Sequence, residues 1–161
     1  AEIHKRVNSD ALVLIFDGGN LVTQGYSQDQ IYAQYEVMKP GLGWIHVKDF
    51  KNPVGAQRVA HVDEEALRHF VPVESGDSGY LEILQDLKDF IPELTERLSS
   101  SGIPGVFADM EPHVKGGGQF GGFSGPDGFG VALRSFCALC DQVGLGYHLT
   151  DFTDLRNIRG Y

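Results

Sequence analysis

Three short apolar runs divide this chain and set the order of its predicted elements. They lie at residues 11–16, 43–47 and 105–110, and the first is a continuous stretch of mostly branched side chains. Such runs, without strict alternation of polar and apolar positions, are typical of strands buried on both faces, as in parallel sheets. We therefore predict strands near residues 11–17, 43–49 and 105–111.

Helices are predicted between these apolar runs and after the last of them. Ser27 followed by Gln30 forms a capping box, which predicts a helix over about 28–38. Leucine and isoleucine at helical spacing predict a long amphipathic helix that starts near Tyr80, and a last helix is predicted over about 126–143. Strands that alternate with helices predict right-handed crossovers and a parallel sheet, so the fold class is α/β.

Composition and charge narrow the class of protein. A chain of 161 residues with 42% hydrophobic residues is predicted to form one globular domain. Its net charge of −9 disfavours nucleic acid as a partner, and no apolar run approaches the ~20 residues of a membrane span. Cys137 and Cys140 share one predicted helix face, which favours core packing over a metal or redox role. With no disulfide framework, a cytoplasmic location is predicted.

Each of the three predicted strands has a polar side chain at or near its end. The first strand ends at Asp17, the second carries His46 and the third ends at Glu111. In an α/β barrel the carboxyl ends of the strands open onto one face, which holds the active site, so these side chains are predicted to converge. Two carboxylates and one imidazole suit Mn, Mg, Co or Zn. The alternatives are a helix cap for Asp17, a core histidine for His46 and a solvated loop residue for Glu111.

Four segments resemble a known group of enzymes. LIFDGGN, WIHVKDF, VESGDSGY and DMEPHVKGGGQFGGFSGP are similar to segments of the xylose-isomerase-like TIM barrels, in particular the sugar phosphate isomerase/epimerase and inosose dehydratase-like members. The resemblance covers roughly residues 1–147. It implies that residues 1–161 form a partial barrel domain, the C-terminal three βα units of a (β/α)8 TIM barrel, without the N-terminal strands. It also implies one divalent metal on Glu, Asp, His and Glu, of which Asp17, His46 and Glu111 match the last three.

The resemblance further implies an activity. We expect divalent-metal-dependent isomerisation or epimerisation of a small sugar, sugar phosphate or keto-polyol through a metal-stabilised enediolate. The alternatives are an inosose-type dehydratase and a catalytically silent sugar-binding subunit. The candidate catalytic residues are Glu111, Lys48 and His113. For Lys48, a surface salt bridge with Asp49 is the competing interpretation.

Two further expectations concern the substrate and the partner. The candidate substrate-binding residues are Asn20, Asp49, Lys115, Gly117 and Gln119. Backbone N–H groups of the glycine-rich loop at residues 116–122 could bind phosphate or sugar oxygens, or the loop could be a flexible lid or a disordered segment. Because three strands leave two open sheet edges, we expect the N-terminal part of the same barrel, or self-association, to complete the fold. Without that part, little activity is expected.

Overall fold

The computed structural model describes residues 1–9, 11–53, 65–117, 119 and 122–149. The helices are α1 (Glu2–Val7), α2 (Gly18–Thr23), α3 (Gln28–Met38), α4 (Tyr80–Ser99) and α5 (Pro126–Val143). The strands are β1 (Leu14–Asp17), β2 (Leu42–Val47), β3 (Asp49–Phe50), β4 (Phe70–Val71), β5 (Phe107–Met110), β6 (Lys115–Gly116) and β7 (Gly122–Phe123). Single 3-10 turns lie at Lys39–Gly41 and Ala66–His69.

The three predicted strands form one parallel sheet in the order β1-β2-β5. Asp17 is in register with His46, and His46 is in register with Asp109. The prediction of a mixed α/β fold with a parallel sheet is therefore confirmed. The carboxyl ends of all three strands lie at the same edge of the sheet, which is the condition that the predicted site requires.

One face of the sheet packs into the hydrophobic core. Phe16 and Ile45, from adjacent strands, are almost fully buried, and so is Leu84 of α4. On α3, Tyr35 places its ring edge-on against Phe16, at 5.6 Å between ring centroids. Its hydroxyl donates a hydrogen bond to Asp86, which satisfies the polar end of a buried ring. Helices α3 and α4 therefore pack against this face of the sheet.

The opposite face of the sheet is more exposed. Ile15, Trp44 and Phe107 stand level with one another across the three strands, because the register pairs Ile15 with Trp44 and Trp44 with Phe107. The Trp44 and Phe107 rings stack at 4.9 Å, and Ile15 is 49% exposed. We call these three residues the apolar row. Ile15 and Trp44 lie two residues before Asp17 and His46, so the row is on the same face of the sheet as these two side chains.

Two short antiparallel ladders were not predicted from the sequence. β3 pairs with β4, which holds residues 70–71 beside the end of β2. β6 pairs with β7 and closes part of the glycine-rich loop. Strands of two residues carry no periodicity, so the sequence offered no pattern to detect them.

The two cysteines lie on α5, as predicted. Both are free, and Cys140 is buried in the core, where burial raises the pKa of its thiol to about 12. Such a thiol is a packing group rather than a nucleophile. Among the helices that the structure describes, none is long and apolar enough to cross a membrane.

Candidate metal centre

Asp17 ends β1 and also caps α2. Its Oδ1 accepts a hydrogen bond of 2.9 Å from the backbone N–H of Asn20, and its Oδ2 accepts one of 2.6 Å from the Asn20 side chain. The helix-cap interpretation and the convergence of Asp17 with the other two strand ends therefore both hold. The cap fixes the orientation of the carboxylate, so Oδ2 faces the neighbouring strand.

His46 lies beside Asp17 on β2. Its Nδ1 is 3.6 Å from Asp17 Oδ2 and 3.2 Å from Glu111 Oε2, and its side chain is 31% exposed. The backbone carbonyl of His46 accepts a 2.7 Å hydrogen bond from the buried hydroxyl of Tyr80. This imidazole thus faces two carboxylates and solvent and is not a core histidine.

Glu111 follows the last residue of β5. Its backbone N–H donates to the carbonyl of Val47 at 3.2 Å, which keeps the residue aligned with β2 beyond the end of the ladder. Partial burial disfavours the ionised carboxylate, but the hydrogen bond from Lys48 and the nearby charges of Lys48, His46 and His113 outweigh it, and the pKa of Glu111 is lowered. The carboxylate is therefore ionised at neutral pH.

Lys48 completes the cluster from the segment after β2. Its Nζ lies 2.6 Å from Glu111 Oε2 and 3.1 Å from Asp17 Oδ2, and its side chain is only 7% exposed. The structure therefore places Lys48 against these two carboxylates instead of in a surface salt bridge with Asp49. Gly19 makes room for it, because a Cβ at Gly19 would lie 2.8 Å from Lys48 Cγ.

The three predicted ligands are close enough together that they could hold a divalent cation. One atom each from Asp17, His46 and Glu111 lies within 4.8 Å of the other two. Metal–ligand bonds of about 2.1 Å place neighbouring ligands about 3.0 Å apart in octahedral sites and about 3.4 Å apart in tetrahedral ones. The two measured distances from His46 Nδ1, 3.2 and 3.6 Å, are close to these values. Three protein ligands leave coordination positions for substrate, as in catalytic sites.

Asp49 points away from this cluster. It is 1% exposed, and its Oδ1 accepts hydrogen bonds from the backbone N–H of Phe50 and from the hydroxyl and backbone N–H of Ser78. Burial raises the pKa of Asp49 to about 7, although these hydrogen bonds oppose the shift. Asp49 was predicted to bind substrate, and the structure instead places it where it anchors the loop before α4.

The remaining candidates are not brought into the cluster. The Nδ1 of His113 lies 3.1 Å from the hydroxyl of Ser124, and its ring packs against Phe70. Lys115 places its Nζ 5.7 Å from the centroid of the Phe123 ring. Gly117 and Gln119 are exposed, and positions 118, 120 and 121 of the glycine-rich loop lie outside the described residues. Asn20 is close, but its amide is engaged with Asp17.

Sequence reasoning missed Ser78, Tyr80 and Gly18 as supports of the site. A Cβ at Gly18 would lie 2.9 Å from Ser78 Cβ, so the first turn of α2 packs directly on the loop that Asp49 anchors. The available signal was Tyr80, a tyrosine on the apolar stripe of an amphipathic helix. A buried phenol needs a hydrogen-bond partner, and here the partner is the strand that carries His46.

Comparison of the chain with protein-family models, with curated proteins and with solved structures finds no match. The functional assignment is therefore carried by the residues themselves. The essential observation is that Asp17, His46 and Glu111, which lie at the ends of three neighbouring parallel strands, meet at one edge of the sheet.

Proposed function

We propose that this chain carries the metal site of a sugar isomerase or epimerase. The substrate class is a small sugar, sugar phosphate or keto-polyol with adjacent hydroxyl and carbonyl groups. The observation that carries the proposal is the joint position of Asp17, His46 and Glu111, with the Lys48 ammonium against both carboxylates. That set combines metal ligands, a proton acceptor and an oxyanion partner within one site.

Each residue has a distinct task in this proposal. A divalent metal held by Asp17, His46 and Glu111 would supply Lewis-acid polarisation of the substrate oxygens. Glu111, ionised and 43% exposed, can accept the proton from the substrate carbon with its second oxygen. The Lys48 ammonium can donate hydrogen bonds to the oxygen on which negative charge develops. Asn20 keeps Asp17 in orientation.

The barrel is the architectural part of the proposal. Three adjacent parallel strands with their polar ends at one edge are what three βα units of a (β/α)8 barrel would supply. In a closed barrel, the face that carries the apolar row would point to the interior. The N-terminal part of the same barrel, or a second copy, would then cover this face and add the fourth ligand.

Solvent exchange tests the proposed reaction. The protein, together with the polypeptide that completes its barrel and with Mn²⁺ added, would be incubated in D₂O with a panel of ketoses, their phosphates and inososes. We expect deuterium at the carbon next to the carbonyl of one substrate class, and loss of both exchange and stoichiometric Mn²⁺ binding in His46→Ala. His148→Ala, on an exposed segment, is the matched control. Elimination of water from an inosose would point instead to the dehydratase, and Mn²⁺ binding unaffected by His46→Ala would contradict the proposed site.

A further inference from the structure

The ammonium of Lys48 contacts the same two oxygens that the proposed metal would use. Nζ is 2.6 Å from Glu111 Oε2 and 3.1 Å from Asp17 Oδ2. These are also the carboxylate oxygens that face His46 Nδ1. A single positive charge thus already sits at the point where the negative charges of the cluster converge.

A divalent cation and this ammonium compete for one position. Each needs lone pairs on Asp17 Oδ2 and Glu111 Oε2, and the two positive charges repel at such short range. Because Asp17 Oδ2 also accepts a hydrogen bond from Asn20, it has little capacity left for a third partner. Coordination of the metal therefore requires the ammonium to leave.

The Lys48 side chain is held by packing near the backbone, whereas its terminal carbons and ammonium are free to rotate. Near the backbone it is packed against Gly19, where even a Cβ would lie 2.8 Å from both Lys48 Cγ and the Lys48 carbonyl oxygen. The terminal carbons and the ammonium turn about flexible single bonds. The Lys48 side chain is 7% exposed, but the Glu111 side chain that its ammonium contacts is 43% exposed, so solvent reaches the Glu111 side of this pair.

We propose that Lys48 is an internal counter-ion that the metal displaces. In the metal-free protein its ammonium offsets the repulsion between Asp17 and Glu111 and keeps the ligands assembled. Metal binding releases the ammonium, which is then available to a substrate oxygen. This inference rests on the proposed metal site and adds to it a coupling between metal uptake and the position of Lys48.

Neutral replacements of Lys48 test the displacement. We would titrate Mn²⁺ into the wild type, Lys48→Met and Lys48→Gln by calorimetry, and record thermal unfolding in EDTA and in Mn²⁺. Both variants should bind Mn²⁺ at least tenfold more tightly and melt at lower temperature in EDTA. Lys48→Arg, which keeps the charge, should bind as weakly as the wild type. Lys51→Met is the control, because Lys51 pairs with Asp77 outside the cluster.

The outcomes separate this inference from the proposed function. Equal or weaker Mn²⁺ binding by both neutral variants, with binding still lost in His46→Ala, would overturn the displacement alone. Absence of Mn²⁺ binding in the wild type and in both variants would overturn the displacement and the metal site together. Neutral variants that fold only with Mn²⁺ support the inference. Variants that stay unfolded in Mn²⁺ overturn it, because the metal then cannot replace the ammonium.

Discussion

The hydroxyl of Tyr80 donates a 2.7 Å hydrogen bond to the carbonyl oxygen of His46. It joins the first turn of α4 to the strand that carries the central imidazole. The ring is 1% exposed, and burial raises the pKa of Tyr80 far above its ordinary value, so the hydroxyl remains a donor across the range in which the protein is studied. This hydrogen bond restrains the backbone of the strand that carries His46, although the Tyr80 hydroxyl does not contact the candidate ligand side chains.

Removal of that hydroxyl should loosen the site. We expect Tyr80→Phe to lower the free energy of unfolding by about 1–3 kcal/mol, since a buried carbonyl loses a partner. Mn²⁺ binding should weaken in parallel, because the strand that holds His46 is less restrained. Urea denaturation and calorimetry measure the two effects. Tyr32→Phe on α3 is the control, and equal results for the two variants would contradict the role of Tyr80.

Gly76 is expected to tolerate no side chain. A Cβ there would lie 2.0 Å from Asp49 Cγ, inside the loop that Asp49 anchors. Gly76→Ala should therefore lower the free energy of unfolding by roughly 1–3 kcal/mol, the usual cost of overpacking. Gly105→Ala, whose Cβ would meet no atom within 4 Å, should change it by no more than about 0.5 kcal/mol. Equal stabilities in urea would contradict the close contact between Gly76 and Asp49.

Asp49 should make stability fall as pH rises. In the unfolded chain an aspartate ionises near pH 3.9. In the folded protein the pKa of Asp49 is raised to about 7, so between these values only the folded state keeps the proton. The contribution of Asp49 to the free energy of unfolding is complete below about pH 4 and is lost as pH rises through 7. The loss amounts to at most about 4 kcal/mol.

Asp49→Asn tests this dependence, because the amide stays neutral and its oxygen can still accept from Ser78. Urea denaturation from pH 4 to 7.5 should show that the stability of the variant relative to wild type increases with pH. Asp29→Asn, at an exposed position on α3, should leave the wild-type pH profile unchanged. If the free energies of unfolding of Asp49→Asn and wild type differed by the same amount across this pH range, burial would not raise the pKa of the Asp49 carboxyl.

The apolar row offers a test of barrel completion. Ile15 on the edge strand β1 is 49% exposed, and the Trp44 and Phe107 rings continue the row across the sheet. We expect native mass spectrometry to show the chain bound to a second polypeptide or a second copy, and Ile15→Lys to release it. Val37→Lys, at a position 55% exposed on α3, is the control. A cooperatively folded, fully active monomer would contradict barrel completion.

Local patterns predicted much of the fold. The capping box at Ser27 and Gln30 is present with both of its hydrogen bonds, and α5 has the predicted bounds, because Pro126 and Gly144 are local start and stop signals. The convergence of the strand ends also followed from sequence, since parallel strands place their carboxyl ends at one edge. The first and third predicted strands are both shorter than predicted, because β1 begins only at Leu14 and β5 spans Phe107–Met110.

The roles of Lys48 and Asp49 could not be predicted in this way. Their adjacency suggested a salt bridge between them, but consecutive side chains on extended backbone point in opposite directions. Lys48 therefore reaches Glu111, 63 residues away, while Asp49 reaches Ser78, 29 residues away. Partners at such separations depend on how the elements pack, and neither propensity nor periodicity contains that information.

Because Lys48 and Glu111 are 63 residues apart in the chain, Lys48 is synthesised well before Glu111. During synthesis at about 5–20 residues per second, roughly 3–13 seconds pass between the emergence of the two residues from the ribosome. For that interval the nascent chain contains Asp17, His46 and Lys48 without Glu111. Strand β5 can add to β2 only afterwards, at the entropic cost of closing a long loop. Metal binding by the complete ligand set would then require the docking of β5, so in a refolding experiment it could not be faster than that docking.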